Sequence, residues 1–283
     1  MIYRLPDGDI ERFIDEDVPY GDLTTFLLGI GRQPGEIVFA TRDETTICCT
    51  EEAARVLEKC GATITACSPS GTGLSPGTDF LKAEGPAQAL HAGWKVALNI
   101  LEYASGIATR THRIITKAKE VNPNVVVVTT RKSFPGTKKM AIKAVTAGGA
   151  LPHRLGLSET ILIFKQHTVF LGGLDAFLQT IGQLSAHAPE KKVILEAENA
   201  DEALRIVQAG VDIVQVDKMS PQELSPLIRE IRQIAPTVKV SAAGGINEAN
   251  VAEYAATGVD IIILSSVYFG KPADIGVRML PKK

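Results

Sequence analysis

The sequence predicts an α/β fold built on a parallel sheet, which we expect to close into a barrel. Short apolar runs rich in β-branched residues recur after Pro123, and such runs are typical of parallel strands buried on both faces. Amphipathic stretches long enough for a helix separate the runs. Nearly every run ends in polar or charged residues, and strand ends of this kind converge at the mouth of a barrel. An open, doubly wound sheet, which would spread these residues along a crevice, is the alternative.

The predicted elements follow in chain order. Before about residue 105 they are a strand at Glu36–Ala40, a helix at Glu51–Cys60, turns in SPSGTGLSPGTDF, and a long helix at Ala89–Asn122 that Gly93 and Gly106 could interrupt. The later strands are Val125–Thr130, Thr160–Phe164, Lys192–Glu196, Asp212–Val216, Val238–Ala242 and Asp260–Leu264. Helices between them include Asp201–Ala209, Pro221–Ile234 and Glu248–Thr257.

Composition excludes several classes of protein. With 283 residues, 45% of them apolar, the chain can bury a sizeable core, and its net charge of −2 gives no electrostatic surface for nucleic acid. The start of the chain lacks the apolar stretch of a signal peptide, and no apolar run is long enough to span a bilayer. The four cysteines lack CxxC spacing, so we expect reduced thiols in a cytoplasmic protein.

Two adjacent cations end the strand written VVVVTTRKSFPG. Arg131 and Lys132 at a barrel mouth would form an anion site, in which arginine offers a bidentate fork and lysine a point charge. The alternative is a structural salt bridge to Glu196 or Asp217 at neighbouring strand ends. A second cationic pair, His153 and Arg154, stands in the loop AGGALPHRLGL.

The position of His153 and Arg154 leaves two interpretations open. A His-Arg pair is often surface decoration. Because the pair precedes the strand predicted from Thr160, it is expected on the opposite rim of a barrel, unless the loop folds back.

Acids and glycines at other strand ends complete the candidate site. Glu196 and Asp217 among several cations suit Mg²⁺ held partly through a phosphorylated substrate, and ion pairs inside the barrel are the alternative. In SAAGGI, Gly244 and Gly245 lead toward a helix that Asn247 is expected to cap, an arrangement that favours a phosphate, although a plain tight turn would serve equally.

Other polar residues at strand ends are further candidates. Ser265 and Ser266 end the last run and are assigned to the same phosphate site. Lys165 and Lys218 could form Schiff bases, which would leave the arginines and acids unexplained. Histidines at metal-ligand spacing are absent from the sequence, which argues against zinc.

Together these motifs resemble the quinolinate phosphoribosyltransferase (nicotinate-nucleotide pyrophosphorylase, carboxylating) family, and within it the branch associated with molybdenum-transport genes. The resemblance runs over nearly the whole chain. Its motifs are EDVPYGDLTT, VALNILEYASGIAT, TRKSFPGTK, GGALPHRLGL, LEAENADEAL, VDKMSP, AAGGI and GVDIIIL.

The resemblance implies an N-terminal α/β sandwich at 1–105, to which a tail at 270–283 could return, and an incomplete α/β barrel at 106–269. It implies a homodimer whose sites form between subunits, and a reaction that uses phosphoribosyl pyrophosphate with Mg²⁺. It also implies roles for residues at matching positions. On the acceptor side, the carboxylates of the acid would be held by Arg131, His153 and Arg154. On the donor side, the phosphoribosyl group would face Lys132, and its ribose hydroxyls and the metal would be held by Glu196 and Asp217. The 5′-phosphate would be received by Gly244 and Gly245.

Departures from the family pattern concentrate on the acceptor side. Phe164 replaces the lysine that helps hold quinolinate, and Lys165 is expected on the opposite face of the strand. Lys95 stands where an arginine would cross to the neighbouring subunit, keeping the charge but losing the fork. Since a buried, unpaired carboxylate is unfavourable, we expect an aromatic or heterocyclic acid other than quinolinate.

Two alternatives stay open at this point. The chain could be a true quinolinate phosphoribosyltransferase in which Lys165 or Lys95 substitutes. It could also be a non-catalytic ligand-binding or regulatory protein linked to molybdate uptake.

Overall fold

The computed structural model describes residues 3–282, the side chain of Ser185 excepted. The chain divides into two compact units. The first contains the described residues up to His112, Ser133–Gly149 and the residues from Tyr268 onward, and the second contains Arg113–Lys132 and Ala150–Val267. Compared with the predicted domains, 106–112 and 133–149 group with the first unit.

Helices and strands alternate through most of the chain. Within residues 3–282 the α-helices are α1 (Asp7–Asp17), α2 (Leu23–Leu27), α3 (Thr50–Lys59), α4 (Ala87–Val121), α5 (Lys138–Ala147), α6 (Lys165–Thr168), α7 (Leu174–Leu178), α8 (Ile181–His187), α9 (Ala200–Gln208), α10 (Pro221–Ile234) and α11 (Val251–Ala256). The strands are β1 (Pro34–Thr41), β2 (Thr45–Thr46), β3 (Thr63–Cys67), β4 (Gly73–Leu74), β5 (Asp79–Pro86), β6 (Val126–Thr129), β7 (Leu151–Pro152), β8 (Ile161–Ile163), β9 (Val193–Ala197), β10 (Ile213–Asp217), β11 (Lys239–Ala243), β12 (Ile261–Leu264) and β13 (Ile275–Pro281). Short 3-10 helices cover Val169–Leu171 and Ser266–Tyr268.

The first unit is built on an antiparallel sheet of four strands in the order β13-β1-β5-β3. The predicted strand Glu36–Ala40 lies inside β1, and its alternate residues Ile37 and Phe39 are fully buried. The C-terminal segment supplies β13, which pairs with β1 from Ile275 to Pro281. Three of the four strands, β3, β5 and β13, were not predicted as strands, although the return of the tail at 270–283 was.

The long helix α4 is continuous, and neither Gly93 nor Gly106 interrupts it. Both glycines allow close packing within the first unit. A Cβ added at Gly93 would lie 2.9 Å from Leu57 Cδ2, and one at Gly106 would lie 3.0 Å from both Ala273 N and Lys271 O. The leucine methyl near Gly93 could shift, whereas the atoms near Gly106 belong to the backbone, so a larger residue is least tolerated at Gly106.

The second unit is built on a parallel sheet of seven strands in the order β7-β6-β12-β11-β10-β9-β8. Among the strands of residues 3–282, the outer strands β7 and β8 pair only with β6 and β9, respectively, so the sheet forms an incomplete barrel. All six predicted strands form, with ends shifted by at most one residue. Burial explains their composition, since Val214, Val240 and Ile262 are fully buried. The predicted α/β class with an incomplete parallel barrel is confirmed.

Two further expectations concern the whole chain. Across the described part, no helix combines the length and the apolar character needed to cross a bilayer. Cys48, Cys49, Cys60 and Cys67 all carry free thiols, and the first two are fully buried.

Candidate active site

A cavity of about 550 Å³ opens at the carboxyl ends of the strands of the second unit. This is the edge at which barrels place their functional residues. The lining residues are Thr130, Arg131, Lys132, His153, Arg154, Leu162, Phe164, Glu196, Gln215, Asp217, Lys218, Ala243, Gly244, Gly245, Ile263 and Ser265. Ten of the thirteen residues assigned from the sequence therefore share one cavity.

The adjacent cations Arg131 and Lys132 reach the cavity because they follow a buried strand. Val127 and Val128 of β6 are buried, and the chain leaves the sheet after Thr129. A strand fixed by its core residues delivers its next side chains to the open edge of the sheet. Both cations line the cavity, and within residues 3–282 neither forms a salt bridge with Glu196 or Asp217 at 4.0 Å or less. The alternative of a structural ion pair is therefore not supported.

His153 and Arg154 lie at this same mouth, which corrects their predicted place on the opposite rim. Leu151 and Pro152 form the short strand β7, which runs parallel to β6, and the His153 N–H donates to the Thr129 carbonyl at 2.9 Å. The residues after β7 therefore leave the sheet at its carboxyl edge. Sequence periodicity could not detect a strand of two residues.

The charges of this loop depend on burial. Burial lowers the pKa of His153, and the neighbouring Arg154 lowers it further. The pKa of Arg154 is also lowered, first by burial and then by the charge of Arg131. A neutral imidazole beside two guanidinium groups can donate or accept one hydrogen bond while the arginines pair with an anion.

Glu196 and Gln215 form a direct pair inside the cavity. They lie side by side on β9 and β10 in the parallel register, and Gln215 Nε2 donates to Glu196 Oε2 at 2.6 Å. Burial raises the pKa of Glu196, and the charges of Asp217 and Glu198 act in the same direction, while the hydrogen bond from Gln215 opposes them. Sequence analysis missed Gln215, whose only signal was one polar residue inside an apolar run.

Asp217, Lys218 and Gly244 form the tightest backbone arrangement at the mouth. Lys218 has the left-handed backbone angle φ +57° and donates its N–H to the Ala243 carbonyl at 2.8 Å. Its ammonium lies 3.8 Å from Asp217 Oδ2. A Cβ added at Gly244 would lie 2.6 Å from Asp217 Oδ1 and 2.6 Å from Lys218 Cγ. Only glycine therefore fits between these two strand ends.

The loop after β11 differs from its prediction. Gly244 and Gly245 adopt φ +89° and +74° and line the cavity. Asn247 does not cap the following helix, because its side chain accepts from Ala249 N at 2.8 Å in a local turn and α11 begins only after its N-cap, Asn250. The predicted helix start at Glu248 is wrong by three residues, since the asparagine turn intervenes.

Lys165, Ser266 and Lys95 do not line the cavity. Lys165 begins α6, and its ammonium pairs with Glu198 at 2.7 Å. Ser266 begins a 3-10 helix, and its hydroxyl is buried. Lys95, on α4 of the first unit, has its ammonium 4.3 Å from the centre of the Trp94 ring. Lys165 therefore pairs with another residue of the second unit, and the hydroxyl of Ser266 is buried within that unit.

The residues present fit a magnesium ion only as part of a complex with substrate. Among residues 3–282, no cluster of three or more His, Cys, Asp or Glu side chains could hold a metal alone. Glu196 and Asp217 offer two carboxylates at one cavity. Mg²⁺ is commonly bound through one or two carboxylates plus substrate phosphates, so this donor set suits an ion that arrives with a phosphorylated ligand.

The overall charge of the cavity favours anions. Four permanent cations line it, namely Arg131, Lys132, Arg154 and Lys218, against the two carboxylates Glu196 and Asp217. A concave site with excess positive charge concentrates negatively charged ligands. The lining therefore suits phosphates and a carboxylate, with Leu162, Phe164 and Ile263 providing apolar surface.

Comparison with known proteins identifies the family. The chain matches "Quinolinate phosphoribosyl transferase, N-terminal domain" over residues 22–105 and "Quinolinate phosphoribosyl transferase, C-terminal domain" over residues 107–278. A protein of Rhodobacter capsulatus named ModD is 42% identical over 253 residues, which cover 89% of this chain and 96% of that one. ModD of Escherichia coli O157:H7 is 36% identical, with 99% of each chain covered.

More distant relatives carry a different name. A protein of Methanothermobacter thermautotrophicus named as a nicotinate-nucleotide pyrophosphorylase (carboxylating) is 32% identical, with 95% of this chain and 97% of that one covered. The solved nicotinate-nucleotide pyrophosphorylase of Francisella tularensis superposes with a TM-score of 0.87 at 24% identity, with 99% of each chain covered. That superposition supports the fold, and the sequence matches support the predicted family and branch.

Proposed function

Because the chain belongs to the quinolinate phosphoribosyl transferase family, we propose that it transfers phosphoribosyl from phosphoribosyl pyrophosphate to a ring nitrogen of an aromatic or heterocyclic acid other than quinolinate. The choice of acid rests on the positions of two neighbouring residues, Phe164 and Lys165. Phe164 lines the cavity, whereas the ammonium of Lys165 pairs with Glu198 outside its lining.

The donor side of the reaction draws on the cations and the glycine loop. Lys132 and Lys218 line the cavity together with the backbone of Gly244 and Gly245, and these groups would hold the phosphate and pyrophosphate of the donor. As the C1–oxygen bond breaks, its electron pair leaves with pyrophosphate, and the ring nitrogen of the acceptor forms the new bond to C1. Cations fixed beside the leaving group stabilise the negative charge that develops there.

Glu196 and Asp217 serve the sugar. Positive charge builds on the ribose in the transition state, and two carboxylates at the same cavity stabilise it. The same carboxylates would hold Mg²⁺ together with donor oxygens, and the ion would neutralise departing pyrophosphate. Holding donor and acceptor in one cavity supplies much of the remaining acceleration.

The acceptor side favours an acid with one carboxylate. Arg131 and Arg154 line the cavity and can pair with a carboxylate through bidentate hydrogen bonds, while Leu162, Phe164 and Ile263 offer apolar surface to the ring. A second carboxylate facing Phe164 would be buried without a cation, which is strongly unfavourable. The unpaired second carboxylate would make quinolinate bind less well than an acid with one carboxylate.

The test is release of pyrophosphate from phosphoribosyl pyrophosphate and Mg²⁺, with quinolinate, nicotinate and other heterocyclic acids offered separately. We expect release with an acid that carries one carboxylate and little or none with quinolinate. Efficient release with quinolinate alone would contradict the choice of acceptor. If no acid causes pyrophosphate release in protein shown to be folded, a ligand-binding role would be favoured.

We also propose a homodimer. Four large apolar residues in or beside α2 are exposed, namely Leu23, Phe26, Leu27 and Leu28, and a concentration of exposed apolar residues supports an interface. In such a dimer Lys95 would complete the site of the neighbouring subunit. Light scattering behind size-exclusion chromatography would measure the mass directly, and a monomer at micromolar concentration would contradict the proposal.

A further inference from the structure

Gln215 is a buried polar residue whose amide oxygen forms no hydrogen bond within the described part of the chain. It lies on β10 between the buried residues Val214 and Val216, and only 5% of its surface is exposed. Its Nε2 donates to Glu196 Oε2 at 2.6 Å. Its Oε1 is buried and has no hydrogen-bond partner within the described part of the chain.

This arrangement is costly for folding. A buried amide oxygen without a donor destabilises a protein, because it loses its hydrogen bonds to water and gains none in return. The neighbouring strand does not relieve it. Ser241 stands beside Gln215 in the register, but its hydroxyl donates to the Val214 carbonyl at 3.4 Å instead. Because Glu196 lines the open cavity, where water can replace the amide as donor, an apolar side chain of similar length should suit this position equally well or better.

The side-chain hydrogen bond that Gln215 forms among residues 3–282 is directed at the candidate active site. The amide N–H engages one carboxylate oxygen of Glu196 and leaves the other to accept from a ligand hydroxyl. The two side chains extend from adjacent strands whose backbones are fixed by the sheet. A carboxylate held from such a position has fewer orientations to lose when the ligand binds.

We propose that Gln215 is a positioning residue that orients Glu196 toward the ribose of the donor, and that it is retained at the expense of stability. This rests on the proposed function, in which Glu196 serves the ribose. Gln215 does not touch the reacting atoms and acts through Glu196.

The test compares Gln215→Met, which keeps the length and removes the amide, with Ser241→Ala, which removes a buried hydroxyl from the next strand. We expect the melting temperature of unliganded Gln215→Met to equal or exceed that of the wild type. Its kcat should fall by about tenfold or more, as is usual when an orienting partner is lost, with KM for the acceptor nearly unchanged. Ser241→Ala should retain wild-type kcat.

A double-mutant cycle separates positioning from general damage. In a Glu196→Gln background, Gln215→Met should cause no further loss of kcat, because the residue acts only through Glu196. Independent losses that multiply in the double variant would overturn the proposal. So would a lower melting temperature with unchanged kcat, which would mark Gln215 as structural.

Failure of the proposed function would be seen separately, as a wild type that turns over none of the acids. The same cycle would then use the rise in melting temperature that phosphoribosyl pyrophosphate and Mg²⁺ produce. The rise should be smaller in Gln215→Met than in the wild type. The Glu196→Gln variant and the double variant should show equal rises. An unchanged rise, or a melting temperature of unliganded Gln215→Met below that of the wild type, would overturn the role of Gln215.

Discussion

Replacing Gly244 by alanine should damage the candidate site far more than the same change at Gly245. Both glycines have positive φ, +89° and +74°, and an L-residue there costs about 1–2 kcal/mol of backbone strain. An added Cβ at Gly244 would lie 2.6 Å from both Asp217 Oδ1 and Lys218 Cγ and 2.9 Å from Lys218 N, whereas a Cβ at Gly245 has nothing within 4 Å.

The difference in free energy follows from these contacts. Overpacking adds about 1–3 kcal/mol when neighbours must move, so Gly244→Ala should lose about 2–5 kcal/mol of unfolding free energy and Gly245→Ala about 1–2 kcal/mol. The rate of pyrophosphate release should also fall further in Gly244→Ala than in Gly245→Ala, because the added methyl group would displace the carboxylate of Asp217.

Urea denaturation followed by circular dichroism measures the two losses against the wild type. The slopes of the transitions should match, so that the midpoints report stability alone. Equal losses within about 0.5 kcal/mol, the usual limit for independent sites, would refute the steric argument. A Gly244→Ala protein with undisturbed stability and activity would show that the loop relaxes without displacing Asp217.

Three further predictions concern the ion pairs and the subunit exchange. Lys143, only 4% exposed, lies 2.5 Å from Glu52 Oε2, so Lys143→Met should leave that carboxylate buried and unpaired and cost about 3–5 kcal/mol in urea denaturation; a loss below about 1 kcal/mol, typical of an exposed pair, would contradict this. Burial alone would raise the pKa of Glu51, but hydrogen bonding from Lys143 and other donors lowers it from 4.5 to about 2. Its folded pKa is therefore depressed, its stabilisation is present above pH 4.5 and is lost as the pH falls toward 2, and Glu51→Gln should flatten stability across this window. Mixed and refolded Lys95→Ala and Glu196→Ala proteins should recover about a quarter of wild-type activity if Lys95 serves the partner's site in a two-fold dimer. No recovery would place Lys95 in its own subunit's site, and full activity of Lys95→Ala alone would place it outside the reaction.

The barrel was predictable because its signals are local and repeated. Each strand is short and rich in valine and isoleucine, and burial on both faces produces that composition. The strands at Val125–Thr130 and Asp212–Val216 therefore lay within two residues of their observed ends. The residues after those strands could be assigned to one mouth because parallel strands share a direction.

Other features depend on contacts that a sequence does not reveal. β7 is two residues long, and the position of His153 at the mouth depends on the pairing of Leu151 with Val128. β5, written DFLKAEGP, has no β-branched residue and lies in the sheet between β1 and β3, which a local pattern does not reveal. Lys165 points to Glu198 because a helix begins there, which alternation along a strand did not predict.

In the proposed function, the cavity selects an acid with one carboxylate because Phe164 occupies the position at which a cation would bind a second carboxylate. The most direct measurement is the ratio of kcat/KM for quinolinate to kcat/KM for nicotinate in the wild type, in Phe164→Lys and in the uncharged control Phe164→Met. We predict a low ratio in the wild type and in Phe164→Met, and a rise of about tenfold or more in Phe164→Lys, the equivalent of one new charged hydrogen bond of about 1.5–3 kcal/mol. A ratio that already favours quinolinate in the wild type, or that does not change in Phe164→Lys, would contradict the account.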